Sequence, residues 1–143
     1  MSTPKHSVSV AGIVIDEDNR VLLIQRRDNG HWEPPGGVLE LDETFEQGVL
    51  REVHEETGLR VNVDRLTGIY KNMRHGIVAL VFRCHVEAGH KVSTPEARRV
   101  EWMTKDAAAK VMSPAYFIRV ADAFISDVNM RVHDGVNLIE DPA

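Results

Sequence analysis

Cysteine is almost missing from this sequence, Cys84 being the only one in 143 residues. No disulfide can form within the chain, which excludes a small secreted scaffold held by cross-links and fits a reducing compartment. Long apolar runs are also absent. None approaches the roughly 20 residues that a membrane helix needs, and the opening MSTPKHSVSV lacks the apolar centre of a signal peptide, so a cytoplasmic protein is expected. Positive charge is in deficit. The 17 Lys and Arg residues against 22 Asp and Glu leave a formal net charge of -5, which disfavours broad attraction to nucleic acid or an anionic membrane while leaving room for a local phosphate site. Repeats, low-complexity tracts and linkers are missing too, so a single domain over residues 1–143 is expected. What is present, 43% hydrophobic and 27% charged residues, is the composition of a chain that folds around a core.

The pattern along the chain mixes strands and helices. Val8 to Asp16 and Val21 to Gln25 are apolar runs separated by the turn residues Glu17-Asp18-Asn19, which predicts a hairpin. Trp32 to Gly37 is too rich in Pro and Gly for a regular element and reads as a shaped loop. A helix follows from Thr44. Thr44 and Gln47 have the spacing of a capping box, Phe45, Val49 and Val53 recur every four residues, and Gly58 is a natural stop. Val61 to Met73 and Gly76 to Glu87 then read as strands, with Leu80, Phe82, Cys84 and Val86 on one face of the second. A loop over His90 to Glu96, a strand over Arg99 to Met103 and a helix capped by Thr104 come next. Pro114 opens a further helix with Phe117, Val120, Ala121, Phe124 and Val128 as its core stripe. Asp134 to Ala143 reads as a loosely ordered tail. This alternation predicts an α/β fold.

The helix from Thr44 carries the acidic residues of interest. At about 100° per residue, Glu52, Glu55 and Glu56 fall within roughly a third of the helix circumference, with the apolar stripe of Phe45, Val49 and Val53 around the side from them. Like charges at this spacing repel, and a divalent cation removes the conflict. A solvated acidic face is the plain alternative for an isolated cluster. Here Gly36-Gly37 precedes the helix and offers backbone without side chains, and hard carboxylate and carbonyl oxygens suit Mg²⁺ or Mn²⁺.

Read from Gly37, the segment GVLELDETFEQGVLREVHEETGL resembles the Nudix box, G-x5-E-x7-R-E-U-x-E-E-x-G-U, where U is a bulky aliphatic residue. Every defined position is filled, by Gly37, Glu43, Arg51, Glu52, Val53, Glu55, Glu56, Gly58 and Leu59. The resemblance to the MutT-like Nudix hydrolases implies an α/β/α sandwich with a mixed β-sheet and Mg²⁺-dependent cleavage of a diphosphate linkage, with Mn²⁺ able to substitute. It implies that Glu52, Glu55, Glu56 and the Gly37 carbonyl hold the cation. It also implies that one glutamate acts as general base, Glu52 being the first candidate, and that Arg51 orients the cluster through a carboxylate such as Glu43.

For the substrate, Arg26 and Arg27 are candidate phosphate contacts, with a solvated strand end as the alternative. Trp32 is a candidate for stacking on a base, or else packs its loop onto the core. Glu96 suits an accessory glutamate. Neither Cys84 nor the seven histidines, scattered without metal-ligand spacing, points to zinc or thiol chemistry. Tyr70 lies too near the box for the tyrosine of dinucleoside polyphosphate hydrolases, and no proline near His75-Gly76 marks an ADP-ribose hydrolase. A nucleoside triphosphate, including oxidised ones, is the leading substrate. ADP-ribose, nucleotide sugars and a non-catalytic nucleotide-sensing module stay open, as does a homodimer.

Overall fold

The computed structural model describes residues 2–92, 94–95 and 97–140. Its strands are β1 (Ser7–Val14), β2 (Val21–Arg26), β3 (Trp32–Glu33), β4 (Gly36–Val38), β5 (Arg60–Asn72), β6 (Ile77–Ala88), β7 (Ala97–Met103), β8 (Asn129–His133) and β9 (Leu138–Ile139). The helices are α1 (Phe45–Thr57), α2 (Lys105–Val111) and α3 (Pro114–Asp122). One sheet has the order β4-β1-β6-β5-β8-β9 and the other the order β3-β2-β7. β1 runs parallel to β6 and β5 parallel to β8, while β5 and β6 are antiparallel, so the larger sheet is mixed as expected.

Both faces of the sheets are covered, which is why their strands read as nearly continuous apolar runs. On one side Val49 and Val53 of α1 pack with Val10, Val14, Phe82 and Cys84. On the other, Ala108, Met112 and Val120 from the α2 and α3 region pack with Ile13, Leu23, Tyr70 and Val81. Cys84 is fully enclosed, and burial pushes its thiol up to about 12.

The hairpin expected from β1 and β2 does not form. Asp16 N–H donates to Arg20 carbonyl and Ile15 bridges Val21, but beyond this turn β1 enters the larger sheet and β2 the smaller. Burial on both sides, rather than a half-wet ribbon, is what the two apolar runs satisfy. The Trp32 to Gly37 loop likewise resolves into β3 and β4, split by Pro34-Pro35, which cannot supply ladder N–H groups.

α1 keeps its expected ends. Thr44 and Gln47 form the reciprocal capping box, and Gly58 closes the helix at φ 80°, a left-handed conformation suited to glycine. Phe45 departs from the predicted stripe: it is 49% exposed in the first turn, while Val49 and Val53 are fully buried. α3 stops at Asp122, so Val128 lies outside it and is exposed. The start of the expected loose tail is ordered, since Ile139 and Leu138 of β9 pair with Val132 and His133 of β8.

One buried polar group ties α3 to the sheet. Tyr70 Oη donates to Asp122 Oδ2 at 2.7 Å, and Arg131 donates to both Asp122 oxygens at 2.8 Å. Burial and this carboxylate push the Tyr70 phenol well above its ordinary value. Tyr70→Phe removes one hydrogen bond to a charged acceptor and is expected to lower unfolding free energy by about 1.5–3 kcal/mol. Urea titration with an unchanged slope measures it, and a loss under a few tenths of a kcal/mol would show that Arg131 alone satisfies Asp122.

Candidate active site

β4 lies antiparallel to β1, with Gly37 opposite Val10 and Gly36 opposite Ala11. This pairing presses a backbone without side chains against α1. A Cβ on Gly37 would stand 2.6–2.8 Å from the atoms of the Glu52 carboxylate, closer than real side chains approach. Gly36 N–H donates to Glu56 Oε1 at 2.8 Å. Glu52 and Glu56 are only 8% and 5% exposed, so both carboxylates depend on donors or a cation for the solvation they have lost.

Arg51 supplies part of that compensation. Its Nη1 donates to Glu52 Oε1 at 2.8 Å, and its Nε and Nη2 grip Glu43 bidentately at 2.6 and 2.8 Å. Nη2 also reaches the Val38 carbonyl at 3.2 Å, and Nη1 lies 3.4 Å from Glu55 Oε2. The guanidinium therefore ties the exit of β4 to α1. It holds the Glu43 carboxyl down at about 2, and Glu43 in turn pushes the guanidinium above its ordinary value.

A cavity of about 400 Å³ opens here, lined by Arg26, Arg27, Gly36, Gly37, Glu52 and Glu56 together with Asp28 and Pro95. Of the three carboxylates expected to project together, Glu52 and Glu56 line this cavity, whereas Glu55 is half exposed and turned to Arg51. Among the described residues no three acidic, imidazole or thiol side chains converge at metal-binding distance. Arg51 draws Glu52 and Glu55 toward itself, and Gly36 draws Glu56. The groups that do meet, two buried carboxylates and a glycine backbone that a Cβ would obstruct, are an all-oxygen donor set suited to a hard cation.

The candidate substrate residues separate. Arg26 lies at the cavity with Nε and Nη2 on Asp28 at 2.9 and 2.7 Å, and that pairing raises its pKa. Arg27 donates from Nε and Nη2 to the Thr94 carbonyl at 3.4 and 3.3 Å. Trp32 packs against the core on the α3 side, with Arg99 over its ring at 5.8 Å, and is not among the residues lining the cavity. Glu96 lies outside the described residues.

Behind Gly36-Gly37 a second cavity of about 220 Å³ shares Arg26 with the first and is walled by Glu33, Tyr116, Arg119 and His133. The sequence pattern missed these residues. Arg119 falls inside an apolar helical stripe, where a charge reads as pointing to solvent, and His133 belongs to a strand that the pattern left unassigned.

The family model of the NUDIX domain matches residues 5–121. A "MutT-like protein" of Streptomyces ambofaciens is 56% identical over 139 residues, covering 96% of this chain and 90% of that one. An "ADP-ribose pyrophosphatase" of Methanocaldococcus jannaschii is 38% identical over 103 residues, covering 67% and 60%. A crystal structure of a NUDIX hydrolase from Nitrosomonas europaea superposes with a TM-score of 0.78 at 21% identity, covering 92% and 82%. The fold is thus that of a two-sheet pyrophosphohydrolase with a glutamate-bearing helix. The chain belongs to the Nudix family of hydrolases.

Two outcomes follow from the site's geometry. Gly37→Ala displaces Glu52 and is expected to weaken Mn²⁺ binding at least tenfold by titration while the circular dichroism spectrum is kept; unaltered affinity would separate Gly37 from the cation. For Glu43, whose folded pKa lies below its unfolded one, the Arg51 pairing stabilises fully above about 4.5 and is lost as pH falls through about 2. Glu43→Gln should therefore melt lower than wild type at pH 7, with the gap narrowing steadily between those two values.

Proposed function

We propose that this chain hydrolyses the diphosphate linkage of a nucleoside diphosphate joined to another group, with a nucleoside triphosphate, oxidised forms included, as the leading substrate class. The observation that carries this is one cavity in which Glu52 and Glu56, both buried, meet the Gly37 backbone while Arg26 and Arg27 line the same space. Glu52, Glu55, Glu56 and the Gly37 carbonyl would hold Mg²⁺, or Mn²⁺ in its place. Such an ion supplies a bound water of lowered pKa and neutralises charge on phosphate oxygens.

The chain's own residues account for the remaining needs. Arg26 and Arg27 neutralise and align the phosphates, since guanidinium forks match phosphate oxygens. Arg51 positions Glu52 by holding its Oε1, and Oε2 takes the proton of the attacking water, which makes Glu52 the general base. Release of a nucleotide and the phosphorylated second group requires no covalent enzyme intermediate. The name of the archaeal relative supports ADP-ribose as the second substrate class to examine.

A turnover screen with Mg²⁺ over nucleoside triphosphates, oxidised nucleotides, ADP-ribose and nucleotide sugars tests the proposal. Glu55→Gln and Glu56→Gln are expected to fold normally and to lose about 3 kcal/mol or more of transition-state stabilisation, roughly a hundredfold in kcat. Near-wild-type turnover in both would end the metal assignment. Nucleotide binding without turnover of any compound would instead favour a sensing module.

A further inference from the structure

The cavity behind Gly36-Gly37 holds a charge that the chain itself leaves underused. Arg119 of α3 is 7% exposed, and its guanidinium lies 5.0 Å from the Tyr70 ring centre and 4.6 Å from that of Tyr116. Among the described residues its Nε is buried without a hydrogen-bond partner and no carboxylate ion-pairs with it. A buried cation of this kind loses solvation that two aromatic faces restore only in part.

Its one polar contact among the described residues is also overdrawn. Arg119 Nη2 lies 3.2 Å from His133 Nε2, while Gly135 N–H donates to His133 Nδ1 at 3.0 Å. A neutral imidazole has a single lone pair to accept with and an N–H on its other nitrogen, and a protonated one has no lone pair. Both contacts therefore cannot be hydrogen bonds at once. Burial and the neighbouring Arg119 hold His133 below its ordinary pKa, so protonation does not relieve the conflict. With the unpartnered Arg119 Nε–H counted, the cluster contains at least two more N–H donors than it has acceptors, and the missing piece is an oxygen.

Across the cavity the complementary group is present. Glu33 of β3 is mostly enclosed, and its nearest cation is Arg26 Nη1 at 3.7 Å, longer than a hydrogen bond. Glu33 and Arg119 attract each other without meeting at ion-pairing distance. The walls thus offer a donor, an acceptor and the Tyr116 ring. At about 220 Å³ the space is below that of drug-sized pockets and in scale with one heterocycle. Arg26, Gly36 and Gly37 line this cavity and the phosphate-side cavity alike, so one nucleotide can occupy both.

Resting on the nucleotide-hydrolase reading above, we propose that Arg119 and Glu33 determine specificity by reading a keto base, one with a ring carbonyl beside a ring N–H. Guanine and uracil, and 8-oxoguanine on the same edge, present this pair: Arg119 donates to the carbonyl and Glu33 accepts from the N–H. Adenine has no carbonyl. Cytosine has a ring nitrogen acceptor where the N–H is required, and it would face the Glu33 carboxylate. A substrate whose base is adenine, including ADP-ribose, is disfavoured on the same ground.

The test separates base reading from hydrolysis. In EDTA, binding of GMP, UMP, AMP and CMP to the full chain is measured by ligand-observed NMR, alongside Mg²⁺-dependent kcat/KM for the four nucleoside triphosphates. GMP and UMP are expected to bind at least tenfold more tightly than AMP and CMP. Arg119→Met should reduce that preference to under threefold, and Arg119→Lys should restore part of it. Glu33→Gln, on a short and partly exposed strand, decides the matter if Arg119→Met does not fold: an amide offers a donor as well as an acceptor, so the keto preference should fall below threefold. Equal binding of all four, no binding of any, tighter binding of AMP or CMP, or a preference that survives Glu33→Gln overturns the proposal. Keto preference without turnover of any triphosphate would leave the base-reading site standing and count against hydrolysis instead.

Discussion

Two carboxylates largely withdrawn from bulk water govern the architecture around the site. Glu52 and Glu56 share a helix with Val49 and Val53, and the same packing that buries the valines carries the acids out of solvent. Carboxylates so placed require donors close by. Two of these donors, the Gly36 amide on β4 and the Arg51 guanidinium, are brought into place only by folding. Because β4 is registered on β1 and Arg51 is pinned to Glu43 and Val38, strand, loop and helix are fixed as one unit. The glycines are required here for space, since any side chain at Gly37 would enter the volume of the Glu52 carboxylate.

Much of this unit was legible in the sequence because its determinants are local. The Thr44–Gln47 cap, the αL stop at Gly58 and the three-and-four spacing of the glutamates all depend on residues within a few positions of one another. The Arg51 pairing with Glu43 also came through. The division of labour among the glutamates did not, since which carboxylate faces the cavity depends on where Arg51 settles between the helix and the β4 exit.

What remained hidden depends on long-range pairing. The turn between β1 and β2 was read correctly, but a hairpin was the wrong product, since partnership with β6 or with β7 is decided by residues far along the chain. For Trp32 the sequence leaves base stacking and packing of its loop onto the core both open, and its contacts are with the core on the α3 side. Arg119, Glu33 and His133 come from three distant segments and share no spacing rule. Only the fold shows them around one space, and only counting donors against acceptors shows that the Arg119–His133 cluster lacks an acceptor.

Cys84 was notable at first for being alone, and its place in the core gives that solitude a practical meaning. Its sulfur lies between the sheet and α1 with no exposure and a strongly disfavoured thiolate, so alkylating reagents meet it only when those layers part. With no second thiol to confuse the signal, the rate of labelling clocks the opening of the layer that holds the buried glutamates. Slower labelling on adding a nucleotide or a divalent ion would report occupancy without any turnover, through the mass-action stabilisation that a ligand confers on the closed state.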